Sequence, residues 1–186
     1  MAELLGIGIS ALAVILIRLI VPFSIFRWPL WGGLAAAIAD TLDVVIITVL
    51  DPNNTANFYL QHYTELDKAL DIYFLLFMMI VSLRWKEKLA KWTSISLFTY
   101  RAIGVVVLEL THIRQLLFVF PNLFIWWFFF WEARNKFKPE FKLTPKLLII
   151  ILLVMLPFKL GHEYFLHVYQ AHPWEWIKAN IIGKIF

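Results

Sequence analysis

The sequence reads as an all-α integral membrane protein: a bundle of six transmembrane helices with a short interfacial helix at the C-terminus. Composition is the first reason. The 186-residue chain is 61% hydrophobic, with a mean hydropathy of +0.75, whereas soluble domains lie nearer half apolar. Run length is the second: several apolar stretches approach 20 residues, enough at ~1.5 Å per residue to cross a ~30 Å hydrocarbon core. Charge placement is the third. The basic residues collect in short connections between the apolar runs, which marks membrane sidedness. The net charge of +4 is therefore no sign of a nucleic-acid partner. The absence of cysteine excludes disulfides, thiolate metal sites and thiol catalysis.

One domain covering residues 1–186 is expected. Its first span is about residues 4–26; Glu3 in place of a basic leader and Arg18 within the run argue against a cleaved signal. The second, 31–50, is entered through Arg27-Trp28-Pro29 and carries Asp40 and Asp43. The polar stretch DPNNT follows, where Asn53-Asn54-Thr55 has the form of a glycan acceptor. The third span is 67–83, the fourth 92–111, the fifth 115–131 and the sixth 145–169. Within the fifth, Pro121-Asn122 is the one polar break, and its end, IWWFFFWEAR, reads as an interfacial aromatic belt. After Pro173, Trp174, Ile177, Ile181 and Ile185 make an apolar stripe suited to a helix lying on the membrane surface.

Arg27, Arg84, Lys86, Lys88, Lys91, Arg134, Lys136, Lys138, Lys142 and Lys146 fall on one side of this topology. The positive-inside rule makes that side cytoplasmic. Both termini then lie outside, in a multi-pass protein of the cell membrane.

Orientation gathers the ionisable residues. Asp40/Asp43, Asp67/Asp71, Glu109/His112 and Glu163/His167 each have same-face helical spacing, and all fall between the midplane and the outer surface. Arg101 and Lys159 are the deep cations of that half, with His162 nearby. Arg18 is expected on the inner half, where it can snorkel towards the cytoplasm, leaving Arg101 to pair with Asp40, Asp43 or Asp71. That count leaves a carboxylate surplus in the outer half, which protons or one divalent cation would offset. Ionisable groups within a membrane are functional by default.

Three chemistries fit. In a metal-dependent enzyme acting on a lipid or isoprenoid-like substrate, Asp40, Asp43, Asp67, Asp71, Glu109, His112 and Glu163 are the candidate ligands. Arg101, Lys159, His162 and His167 would then clamp an anion or move protons. The metal, whether Mg, Mn, Zn or Fe, is not distinguished by these residues. In a proton- or cation-conducting protein the same residues form a relay. In a non-catalytic subunit of a larger membrane complex they are packing polar groups. His162-Glu163…His167 is one residue too long for the zinc-protease H-E-x-x-H spacing.

The aspartate pairs invite comparison with CDP-alcohol phosphotransferases, whose signature runs D-x-x-D-G-x-x-A-R…G-x-x-x-D-x-x-x-D. Here Val44 and Tyr63 stand at the glycine positions, no Ala-Arg follows Asp43, and the interval is too long. The close phosphate approach that glycine permits is missing, and the chain is not assigned to that family.

Overall fold

A computed structural model describes residues 9–43, 63–113 and 115–164, and every regular element among them is helical. The ends of spans two and six, the glycan-acceptor pattern, His167 and the C-terminal interfacial helix lie outside the described residues. The chain forms two compact units, Met1–Arg84 and Trp85–Phe186.

In the first unit α1 (Ile9–Ile20) tightens into a 3-10 helix over Val21–Phe26. Pro22 causes the change: it has no N–H to give the carbonyl one turn back, that of Arg18. The Ser24 hydroxyl donates to the Val21 carbonyl (2.6 Å), holding the tighter turn. After Arg27 and Trp28 the chain reverses into α2 (Pro29–Thr41), where Pro29 supplies the preset φ of a first helical turn. Gly32 lets α2 lie against the Ser24–Ile25 backbone, close enough to leave no room for a Cβ.

The third helix of this unit, α3 (Tyr63–Ser82), begins before the expected span because its first half is polar and helical together. It packs on the 3-10 segment through Phe77, whose ring lies 5.0 Å from those of both Phe23 and Phe26. Tyr73 donates from its hydroxyl to the Leu19 carbonyl (3.1 Å). Ile25, Leu75 and Met78 fill the space between, essentially without exposure.

In the second unit α4 (Lys88–Thr111) ends at His112, which adopts a left-handed conformation (φ 56°) and donates its N–H to Leu108. The fifth expected span is broken. Leu116–Val119 makes one turn, α5, and the chain restarts as α6 (Leu123–Phe137). Pro121 accounts for the break, since it disfavours helical backbone at Phe120 before it. The Asn122 side chain then caps α6 by accepting from the Ile125 N–H. Finally α7 (Pro145–Glu163) is capped by the Thr144 hydroxyl, which accepts from Leu147 N–H.

Part of the aromatic run is core, while Trp126 is exposed and Phe129 and Phe130 are half-buried. Trp127, Trp131, Phe124 and Phe128 are buried, and Trp131 lies 5.9 Å from both Trp127, on which it stacks, and Trp85, to which it is tilted. Trp127 donates to the Ala90 carbonyl (3.2 Å) and Trp85 to the Glu132 carboxylate (2.6 Å), so these indoles bury their polar edge with a partner. Outward-facing tryptophans exist too, at Trp28, Trp31 and Trp92.

Two described helices, Lys88–Thr111 and Pro145–His162, are long and apolar enough to cross a membrane. The first expected span divides between α1 and the 3-10 helix, and α3 carries Glu65, Asp67, Lys68 and Asp71 in its first half.

Candidate functional site

Three aspartates from two helices, and a fourth just past the end of one of them, converge on one arginine from a third. Arg18, on α1, donates from Nη1 to Asp43 (2.8 Å) and Asp67 (2.7 Å). From Nη2 it bonds Asp40 and Asp71 (3.1 Å), with a longer contact to the Asp67 carbonyl (3.5 Å). Asp40 lies in the last turn of α2 and Asp43 two residues past its end, while Asp67 and Asp71 stand one turn apart on α3. The i, i+3 and i, i+4 spacings thus put each pair on one face, and α1 supplies the cation between the faces.

Burial divides the five side chains unequally. Arg18 is 3% exposed and Asp43 2%, whereas Asp40 and Asp67 are each 30% exposed and Asp71 34%. Arg18 and Asp43 are therefore the two buried members of the cluster. The other three carboxylates lie on its open side, and one oxygen from each falls within 4.8 Å of the other two. Against one guanidinium, four carboxylates leave a formal surplus of negative charge. Lys68 is near enough to Asp67 to act on it electrostatically. A small recess adjoins Arg18 and Asp40, walled by Pro22, Ala36, Ala39, Leu70 and Phe74, with room for about one water.

Asp40, Asp67 and Asp71 are able to hold a metal ion. The donor set is all carboxylate oxygen, which suits hard cations such as Mg²⁺, Ca²⁺ or Mn²⁺ and lacks the nitrogen and sulfur that zinc sites favour.

The cation in this cluster is Arg18, not Arg101, and Arg18 does not snorkel inwards. A helical side chain leans towards the N-terminus of its helix. In α1 that direction leads away from the Arg27–Trp28 turn, towards the deeper turns of α2. Arg18 and Asp40 also lie at comparable distances on either side of that turn, a signal legible in the sequence.

Arg101, in the second unit, is buried and donates to the Phe120 carbonyl (2.9 Å). Tyr100 donates to Val119 (2.6 Å), and Gly104 admits the Phe120 ring. Successive faces of α4 thus grip the broken segment. Lys159 is buried, with its Nζ 3.2 Å from His162 Nδ1. Glu109 is exposed near the end of α4, and His112 leaves the helix at its left-handed cap, so the two do not continue one helical face. Of Glu163 only the backbone is described.

No family model matches this chain, and neither a curated protein nor a solved structure does.

Proposed function

We propose that the chain is an integral membrane protein that binds and conducts a small hard cation at Asp40, Asp67 and Asp71. The convergence of three carboxylate oxygens, on side chains each about one third open, carries this reading. Three anionic oxygens satisfy part of the shell of Mg²⁺, Ca²⁺ or Mn²⁺ and leave positions for water. The adjoining recess suits an ion or a water and is too small for a lipid headgroup. Arg18, the guanidinium nearest the carboxylates, is already bonded to them and is a poor clamp for a substrate phosphate. The helices Lys88–Thr111 and Pro145–His162 supply membrane spans, and the basic connections favour a cell-membrane topology with both termini outside.

A metal-dependent enzyme acting on a lipid or isoprenoid-like substrate is the second reading. The open side of the three carboxylates favours it, because an anionic substrate would have access there.

Mn²⁺ binding to the purified chain, with cation flux in liposomes, separates these readings. Stoichiometric binding and flux, both lost in Asp71→Asn, are expected. Binding without flux would move the assignment to the enzyme. Absence of both would leave the subunit of a larger complex.

A further inference from the structure

We propose that the end of the first unit carrying Arg27 and Arg84 is a docking surface for an anionic phospholipid, whose phosphate the guanidiniums take while its chains lie along the adjoining apolar faces. This rests on the integral-membrane reading above and adds to it the lipid class that one end of the molecule selects.

The first unit separates its charges along its helices. Asp40 lies in the last turn of α2, and Asp67 and Asp71 lie in the first half of α3, whereas Arg27 precedes α2 and Arg84 follows α3. The rise from Pro29 to Asp40, and again from Asp71 to Ser82, is about 17 Å. That exceeds the ~8 Å over which exposed charges act at physiological salt. Both arginines are exposed, and among the described residues neither has a carboxylate within ion-pair distance. Arg84 is positioned all the same. Its Cζ lies 5.6 Å from the centre of the ring of Phe26, the residue before Arg27. A guanidinium held over an aromatic ring keeps N–H donors to offer, and their fork matches phosphate oxygens.

The surroundings of the arginines favour a lipid over an acidic protein. Trp28 follows Arg27 directly and Trp31 stands one turn on, 59% and 53% exposed. Indoles gather at headgroup depth, where the ring meets acyl chains and the N–H meets water. Exposed apolar side chains continue from there: Phe23 on the 3-10 segment, Ile20 on α1, and Ile80 and Leu83 at the end of α3. An acidic protein segment would match the arginines and leave this apolar surface uncovered, whereas a phospholipid covers both. A zwitterionic headgroup already carries a cation beside its phosphate. Two guanidiniums without a carboxylate therefore select a headgroup of net negative charge.

The test titrates the full chain in detergent with phosphatidylglycerol or phosphatidylcholine and reads bound lipid by native mass spectrometry. Wild type should prefer phosphatidylglycerol about 30-fold, at roughly fivefold per arginine. Arg27→Gln with Arg84→Gln should abolish that preference. Lys142→Gln with Lys146→Gln removes the same charge from another basic connection and should keep it. Trp28→Ser with Trp31→Ser should weaken the binding of both lipids. All six positions are exposed, so the variants should fold. A wild type without preference overturns the proposal, and so does a lysine pair that loses as much as the arginine pair, which would mean attraction by net charge alone. Unchanged affinity in the tryptophan pair would reduce the surface to an anion site and overturn the lipid assignment. Flotation with phosphatidylcholine vesicles distinguishes the two levels of failure. A chain that does not float fails as a membrane protein, whereas one that floats without lipid preference fails only here.

Discussion

Gly32→Ala tests whether α2 is seated where it must be to present its aspartates. An alanine Cβ at this position would lie 2.5 Å from the Ser24 carbonyl carbon, 2.6 Å from the Ile25 nitrogen and 2.6 Å from the Ser24 hydroxyl. Ordinary contact begins at 3.4 Å, so the helix or the 3-10 segment must shift by close to 1 Å, a forced overpacking. The hydroxyl can rotate away, but the two backbone atoms belong to a hydrogen-bonded turn. Overpacking costs about 1–3 kcal/mol, and the better helix propensity of alanine returns at most ~1 kcal/mol. The expected net loss is roughly 1–2 kcal/mol, or about 2–8 °C in Tm for a chain of this size. Gly161→Ala is the control, since no atom lies within 4 Å of its Cβ position. It should leave Tm unchanged or raise it slightly. Thermal unfolding of the purified chain in detergent reads both. A Gly32→Ala protein that melts at or above wild type would refute the close seating of α2 on the 3-10 turn.

Arg101→Met should destabilise the second unit by about 1–3 kcal/mol, because it leaves the part-buried Phe120 carbonyl without its donor. Adding Asp40→Asn should restore none of that loss, and a restored Tm would show that Arg101 pairs with this carboxylate after all. Glu132, just past the fifth apolar run, gives a pH dependence. Burial raises its pKa above the ordinary value, and the smaller opposing effect is the hydrogen bond from Trp85. A carboxyl with a raised folded pKa contributes stability below its unfolded pKa and loses it as pH rises through the folded one. Glu132→Gln should therefore flatten the Tm-against-pH profile above the ordinary carboxyl range and be the more stable protein at its upper end. An unchanged slope would remove Glu132 from the account.

Helix content was legible because apolar run length and capping residues are local signals. Thr144-Pro145 and Pro29 mark real helix starts, and Pro121-Asn122 marks a real break. What run length does not encode is the side on which an apolar residue finds its partner. Trp127 and Trp131 look the same in sequence whether they face lipid or one another, and here they face protein. The four aspartates were legible as two same-face pairs, since helical spacing alone aligns them. Their cation was misplaced because depth was counted along each span separately. Counting outwards from the shared Arg27–Trp28 turn, and letting Arg18 lean along its helix, brings it opposite Asp40. Conversely, Arg101 has the depth of a buried partner but bonds a carbonyl freed by a broken helix, and no pattern of charged residues announces that.

The indoles of the second unit have a consequence for how the molecule meets light. Trp85, Trp127 and Trp131 lie with Trp131 5.9 Å from each of the others, and the Trp127 and Trp131 planes are only 22° apart. At that separation their excited states couple, so absorption is shared among rings instead of belonging to one. Excitation then hops across the stack faster than any ring emits, which depolarises the emission. The coupled transitions also impose a signed near-ultraviolet dichroism that depends on the mutual angle of the rings. This chain thus carries an unlabelled optical gauge of its own core packing, set by residues remote in sequence and silent wherever the three rings part.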